Sequence, residues 1–144
     1  MNRMQDFMER FYNVKKVVED METAKLTQAQ AVHQRALADL AGVNGNKRAA
    51  IVQRSGSRTA SEWLMWNDYV RALETVEKSA EAVCQEAQRV RDGQRDRVLL
   101  AHRESETWKT AVAEQKEQVS QNNSRTSQRL LDELAVLRNL RRDM

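Results

Sequence analysis

The chain has 144 residues and a formal charge of +3, with 31% charged side chains, 5% aromatics, four glycines, no proline and a mean hydropathy of -0.78. That balance excludes a compact globular core, because apolar surface this sparse is buried only when it gathers into narrow stripes along paired helices. No run of β-branched and aromatic residues bounded by turn signals suggests a strand, while Ala, Leu, Glu, Gln, Lys and Arg fill nearly every window, so the expected fold class is all-α.

The first predicted helix covers residues 3–43. Met4, Phe7, Phe11, Val14, Val18 and Met21 recur at helical spacing, and Ala29, Val32, Ala36, Leu40 and Val43 resume the stripe. Lys25 and Gln28 fall where it would continue, so the stripe shifts sideways there. Gly42, Asn44, Gly45 and Asn46 tolerate the left-handed conformation that ends helices, which predicts a turn region over 44–58. A short helix at Ala49, Ala50, Ile51 and Val52 fits inside it before Ser55-Gly56-Ser57 breaks the pattern.

The second helix is predicted over 60–141. Thr59 with Glu62 three residues later forms a capping box, in which the hydroxyl accepts from the Glu62 amide and the carboxylate reaches back. Trp66, Tyr69, Leu73, Val76, Ala80, Val83, Ala87 and Val90 then alternate by three and four, the strongest seam in the chain. At Gly93-Gln94 the frame slips and resumes as Val98, Ala101, Ser105, Trp108, Val112, Gln115 and Val119, which reads as a stutter. The polar run Gln121–Ser127 has no stripe. Leu130, Leu134 and Leu137, flanked by Leu131 and Leu140, rebuild an amphipathic helix whose closing arginines suit the helix dipole.

Together these elements predict an elongated, single-domain, antiparallel two-helix coiled-coil hairpin with a longer C-terminal helix. At 1.5 Å per residue the arms measure roughly 60 Å and about 120 Å. The first arm is thus expected to run out near Ala101, leaving Trp108, Val112, Leu130, Leu134 and Leu137 without an intramolecular partner and marking an interaction surface.

Reaction chemistry is missing from the pattern. His33 and His102 lie on different helices with no ligand spacing around them, which argues against a metal. Cys84, beside the seam position Val83, reads as a small half-buried apolar residue; a lone cysteine also fits a reducing compartment. No phosphate loop or nucleophile triad is present, and two paired helices offer no enclosed pocket, so neither an enzyme nor a cofactor is expected. The stretch from Met1 to Asp20 is too charged for a signal peptide or a membrane span, and a cytoplasmic location is expected. The basic excess reads as mild and spread along the chain, which is weak support for nucleic acid.

Several residues carry a resemblance. Ala60-Ser61 leading into Trp63, Tyr69, Leu73 and Glu74, the isolated Trp108, and Leu131-Asp132-Glu133-Leu134-Ala135 followed by Arg138 and Arg141 make the chain similar to the FliJ family, coiled-coil stalk subunits of the flagellar protein export apparatus. The N-terminal half matches in pattern only, with Met and Phe where leucines are commoner. The resemblance implies a non-enzymatic stalk that docks on a hexameric export ATPase and reaches the cytoplasmic domain of the export gate and the export chaperones. It implies no nucleic-acid partner and no membrane span of its own, with the chain held at the cytoplasmic side of the inner membrane. Gate contact would fall to Tyr69, Leu73, Val76 and Ala80. The ATPase ring or another partner would meet Trp108, Leu130, Leu134, Leu137, Asp132, Glu133, Arg138 and Arg141.

The four gate candidates are also seam positions, so periodicity alone packs them against the first helix. Trp63 and Trp66 read either as a cap on the hairpin turn or as a binding hot spot. Alternative functions are the equivalent stalk of a virulence-type secretion system and a self-associating scaffold. A nucleic-acid hairpin using Lys47, Arg48, Arg54 and Arg58 is the weakest reading, because no aromatics interleave with the four charges.

Overall fold

A computed structural model describes residues 3–143. Two helices account for nearly all of them: α1, Arg3–Ser55, and α2, Ala60–Arg142. Among the described residues there is no strand, and the two helices pack against each other as an all-α hairpin.

The turn is shorter and later than the sequence suggests. α1 runs without interruption through Gly42, Asn44, Gly45 and Asn46, and no described residue adopts a positive φ. Those glycines each cost the helix about 1 kcal/mol relative to alanine. The cost is overcome because the residues beyond them, Ala50 and Ile51, join a cluster with Val70, Leu73 and Trp66 on α2. Tertiary packing thus overrides the local stop signal.

The reversal occupies Gly56–Thr59. The Gly56 amide donates to the Val52 and Gln53 carbonyls, at 3.1 and 3.2 Å, and the Ser57 amide donates to Arg54. The Thr59 hydroxyl caps α2 by accepting from the Glu62 amide at 3.1 Å. The Glu62 carboxylate reaches back one residue further than a standard capping box, accepting from the Arg58 amide at 3.0 Å.

The chain divides into two compact units: Asp20–Leu100, which contains the turn, and Met1–Glu19 with Ala101–Met144. In the turn-containing unit the inward residues of α1 include Leu26, Ala29, His33, Ala36, Leu40, Lys47, Ala50 and Arg54. Facing them on α2 are Trp66, Val70, Leu73, Glu77, Ala80, Cys84, Ala87, Arg91 and Gln94. Small side chains dominate the dry layers, as where Ala36, Cys84 and Ala87 cluster with Leu40. Polar bridges fill the layers between them. Lys47 pairs with Glu77 at 3.4 Å, Arg54 donates to Asn67 Oδ1 at 2.9 Å, and the Arg91 guanidinium lies 3.2 Å from His33 Nδ1.

This inward series corrects the predicted seam. Trp66, Leu73, Ala80 and Ala87 belong to it, but Tyr69, Val76, Val83 and Val90 each stand one residue away from the true positions Val70, Glu77, Cys84 and Arg91. One residue is a rotation of about 100° around a helix, enough to move a side chain from the seam to the flank. The long stems of Glu77 and Arg91 pack inward while their charged ends meet partners on α1. The expected stutter disappears with the correction, since Arg91, Gln94, Val98 and Ala101 follow in steps of three and four.

In the other unit, α1 up to Glu19 packs on α2 from Ala101 onward. Phe11 lies against Trp108, Lys15 bonds Glu104 at 3.1 Å, and Glu9 pairs with Lys116 at 3.3 Å. Here too the predicted stripe is displaced. Met4, Phe7, Val14 and Val18 are exposed, while Tyr12, Lys15 and Glu19 turn inward. The expectation that Trp108 and Val112 lack a partner is corrected as well: a longer α1 covers the segment as far as Val119, and both are half-buried. From Ser120 to Asp143 every residue is exposed.

Candidate functional site

The features that can act on another molecule are exposed apolar surfaces, because the seam consumes so many polar groups. Tyr69, Val76, Val83 and Val90 are spaced by seven and share one flank of α2, each about half exposed. Lower on this flank, Val83 and Val90 join Ala29 and Val32 of α1 in lining an open apolar groove edged by Lys25 and Glu86. This groove escaped the sequence reading, which assigned the valines to the seam. The signal that could have found it was the alternative frame through Val70, Glu77, Cys84 and Arg91, whose charged members have partners on α1.

The four gate candidates therefore separate. Leu73 is buried between Val70 and Ala50, and Ala80 is half-buried in the seam. Tyr69 and Val76 face outward and are available to a partner. Nearer the turn, Trp66 packs on the Ala50 cluster and sets its ring edge-on to Tyr69, centroids 6.0 Å apart. Trp63 sits under the Arg54 guanidinium at 5.7 Å yet keeps 44% of its surface exposed. The two tryptophans thus divide between packing the turn and presenting surface.

A second exposed surface lies on α2 beyond Val119. Leu130, Leu134 and Leu137 are 55%, 62% and 59% exposed, with Leu131, Val136 and Leu140 similarly open. Asp132 accepts from Gln128 Nε2 at 3.2 Å, an exposed bond within the helix. Glu133, Arg138 and Arg141 are exposed along the same segment. Trp108 stands apart from these residues, because Phe11 covers it.

Polar groups within the seam are satisfied locally. Buried Glu19 accepts from the Ser105 hydroxyl and lies 3.1 Å from His102 Nδ1, and these contacts, the serine bond foremost, hold its carboxyl below the usual carboxylate range. Gln94 donates to both the backbone carbonyl and the carboxylate of Glu22, lowering that carboxyl too. These are helix-pairing contacts, and Gln94 also borders the open groove lined by Val83 and Val90. Among the described residues no cluster of His, Cys, Asp and Glu could hold a metal, and no helix is long and apolar enough to cross a membrane.

A family model described as "Flagellar FliJ protein" matches residues 4–143. The chain belongs to the FliJ family. No curated protein and no solved structure matches it. Membership of the FliJ family makes the chain a flagellar export stalk protein, a structural subunit and not an enzyme by class. The two apolar surfaces above are where the paired helices of this FliJ chain leave side chains uncovered.

Proposed function

We propose that this FliJ-family chain docks on the hexameric export ATPase of a flagellar type III apparatus and links it to the export gate and the export chaperones. The observation that carries this reading is the run of exposed leucines from Leu130 to Leu140, a helical surface with no cover from α1. Exposed apolar surface of this extent on a single helix is stabilised by burial against another molecule. Leu130, Leu134 and Leu137 supply the apolar contact with the ATPase ring, and Asp132, Glu133, Arg138 and Arg141 supply its polar rim. Trp108 supports the base of that segment through Phe11 and does not itself reach the partner.

Tyr69 and Val76 provide the surface for the gate, with Leu73 and Ala80 holding the helix beneath them. The chain is placed at the cytoplasmic side of the inner membrane through these partners. Co-purification with the export ATPase tests the reading: a complex that stimulates ATP hydrolysis is expected. Failure to associate at any concentration would overturn it. A constitutive dimer or filament in sedimentation would instead favour the self-associating scaffold.

A further inference from the structure

The net charge of the chain sits in one place. Residues 1–46 carry six cationic and six acidic side chains, and residues 72–144 carry thirteen of each. The whole excess of +3 belongs to residues 47–71, where Lys47, Arg48, Arg54, Arg58 and Arg71 face only Glu62 and Asp68. The excess that looks diffuse over the chain as a whole therefore belongs to one stretch, and the hairpin turn lies within it.

Several of these charges are uncommitted. Lys47 pairs with Glu77, and Arg54 is held by Asn67 and Trp63. Arg48, Arg58 and Arg71 are exposed with no carboxylate at ion-pair distance among the described residues, and the Glu62 carboxylate is engaged by the Arg58 backbone amide. The same end exposes apolar side chains: Val52 is 69% exposed, Leu64 56% and Met65 58%, beside the half-open Trp63.

We propose that this turn end, with Val52, Trp63, Leu64 and Met65 among Arg48, Arg58 and Arg71, is a reversible docking surface for an anionic lipid bilayer. Trp63, Leu64 and Met65 are consecutive on α2, so at about 100° per residue they fan around the helix axis and form no single stripe. A protein groove receives a stripe at i, i+3 and i+4, whereas a fluid bilayer accepts apolar groups from every side of a blunt end. Nucleic acid would satisfy the arginines but leave Leu64, Met65 and Val52 in water. Tryptophan and arginine beside short aliphatic chains match the headgroup zone, where the ring lies at the interface and the guanidinium meets lipid phosphate. Among the described residues no helix is long and apolar enough to span a bilayer, and the proposed association is peripheral. The proposal is independent of the ATPase and gate contacts, which use other residues.

The experiment is flotation of the full chain with vesicles of two parts phosphatidylcholine to one part phosphatidylglycerol, and with phosphatidylcholine alone. Binding to the anionic vesicles only is expected, weakening as salt is raised. Arg48→Gln with Arg58→Gln, both exposed, should lower partitioning about 30-fold at unchanged helicity, taking each cation near the surface at the usual worth. Leu64→Ser with Met65→Ser should lower it further and remove the part that survives high salt. In a Trp66→Phe, Trp108→Phe background of native helicity, Trp63 emission should shift to the blue on anionic vesicles. Equal binding to both vesicle types, no binding to either at low ionic strength, or an arginine variant that binds like the parent would each overturn the proposal. Salt-sensitive retention on duplex DNA without vesicle binding would also overturn it and assign the arginines to nucleic acid.

Discussion

The Trp108 indole lies against the Phe11 ring, centroids 4.3 Å apart with the planes tilted by 51°, and Phe11 in turn neighbours Phe7 at 6.0 Å. This aromatic contact lies in a unit that also buries Ala101 and is joined by ion pairs and the Glu19 bonds. Trp108→Ala should destabilise that unit by about 2 kcal/mol, less than a fully buried tryptophan because the ring is half open. Adding Phe11→Ala should cost less than the sum of the two single changes, by about 1 kcal/mol. Thermal denaturation of the four species followed by circular dichroism measures both values.

Gly42 and Gly45 sit in the interior of α1 with nothing within 4 Å of the position a Cβ would take. Alanine at each should therefore stabilise by about 1 kcal/mol, through helix propensity and a less disordered unfolded chain. The double variant should melt several degrees higher, at roughly 2–4 °C per kcal/mol. A lower melting temperature would mean that the chain needs a break there.

That pair of glycines also shows where the sequence misleads. Local signals identified both helices, the Thr59 cap and the pairing, because composition and a three-four period suffice for those. They failed at Gly42–Asn46, where a stop signal is outweighed by Ala50, Ile51, Val70 and Leu73 packing further along. They failed again on the seam by a single residue, because hydropathy favours Val76 and Val90 while the cross-helix partners of Glu77 and Arg91 are invisible until the helices are paired. The C-terminal leucines were legible as an unpartnered face. Trp108 was not, since its cover depends on the length of α1.

Acid should loosen the unit held by Glu19. Its folded-state pKa lies below the ordinary glutamate range, chiefly through the Ser105 hydrogen bond and then through His102. A depressed carboxyl contributes stability that is present above its unfolded pKa and is lost as pH falls through the folded value. The melting temperature should thus decline from about pH 4.5 downward. Glu19→Gln should start lower at neutral pH and lose less over that acid range, and Ser105→Ala should behave in the same way. A variant whose acid limb parallels the parent would place the titrating group elsewhere.

Buried Leu73 and its exposed neighbours Tyr69 and Val76 separate folding from gate binding. Leu73→Ala should cost about 2–3 kcal/mol, as for a buried leucine whose surroundings relax only in part. Tyr69→Ala and Val76→Ala should change stability by no more than about 0.5 kcal/mol. Their expected effect is on affinity for the cytoplasmic domain of the export gate, measured by titration calorimetry beside the helicity of each variant. Unchanged affinity with unchanged folding would remove this flank from the gate contact.

Beyond Val119 the helix has only itself. Its side-chain bonds are local, Gln121 to Glu117, Thr126 to the Asn122 carbonyl and Gln128 to Asp132, and no residue of α1 covers the leucines. A helix of this length without a packed neighbour is marginal in water, since propagation barely outweighs chain entropy and nothing apolar is buried. Amide hydrogen exchange should therefore be fast over 120–142 in the isolated chain and slow across the Ala50, Val70 and Leu73 layers, where opening requires separating the helices. Addition of the export ATPase should slow exchange selectively over 120–142. Replacing Leu130, Leu134 and Leu137 with serine should abolish that protection and leave the melting of the paired region as it was. If exchange over 120–142 is already slow in the isolated chain and becomes faster on dilution, a second copy covers the leucines, and the ATPase contact must be sought elsewhere.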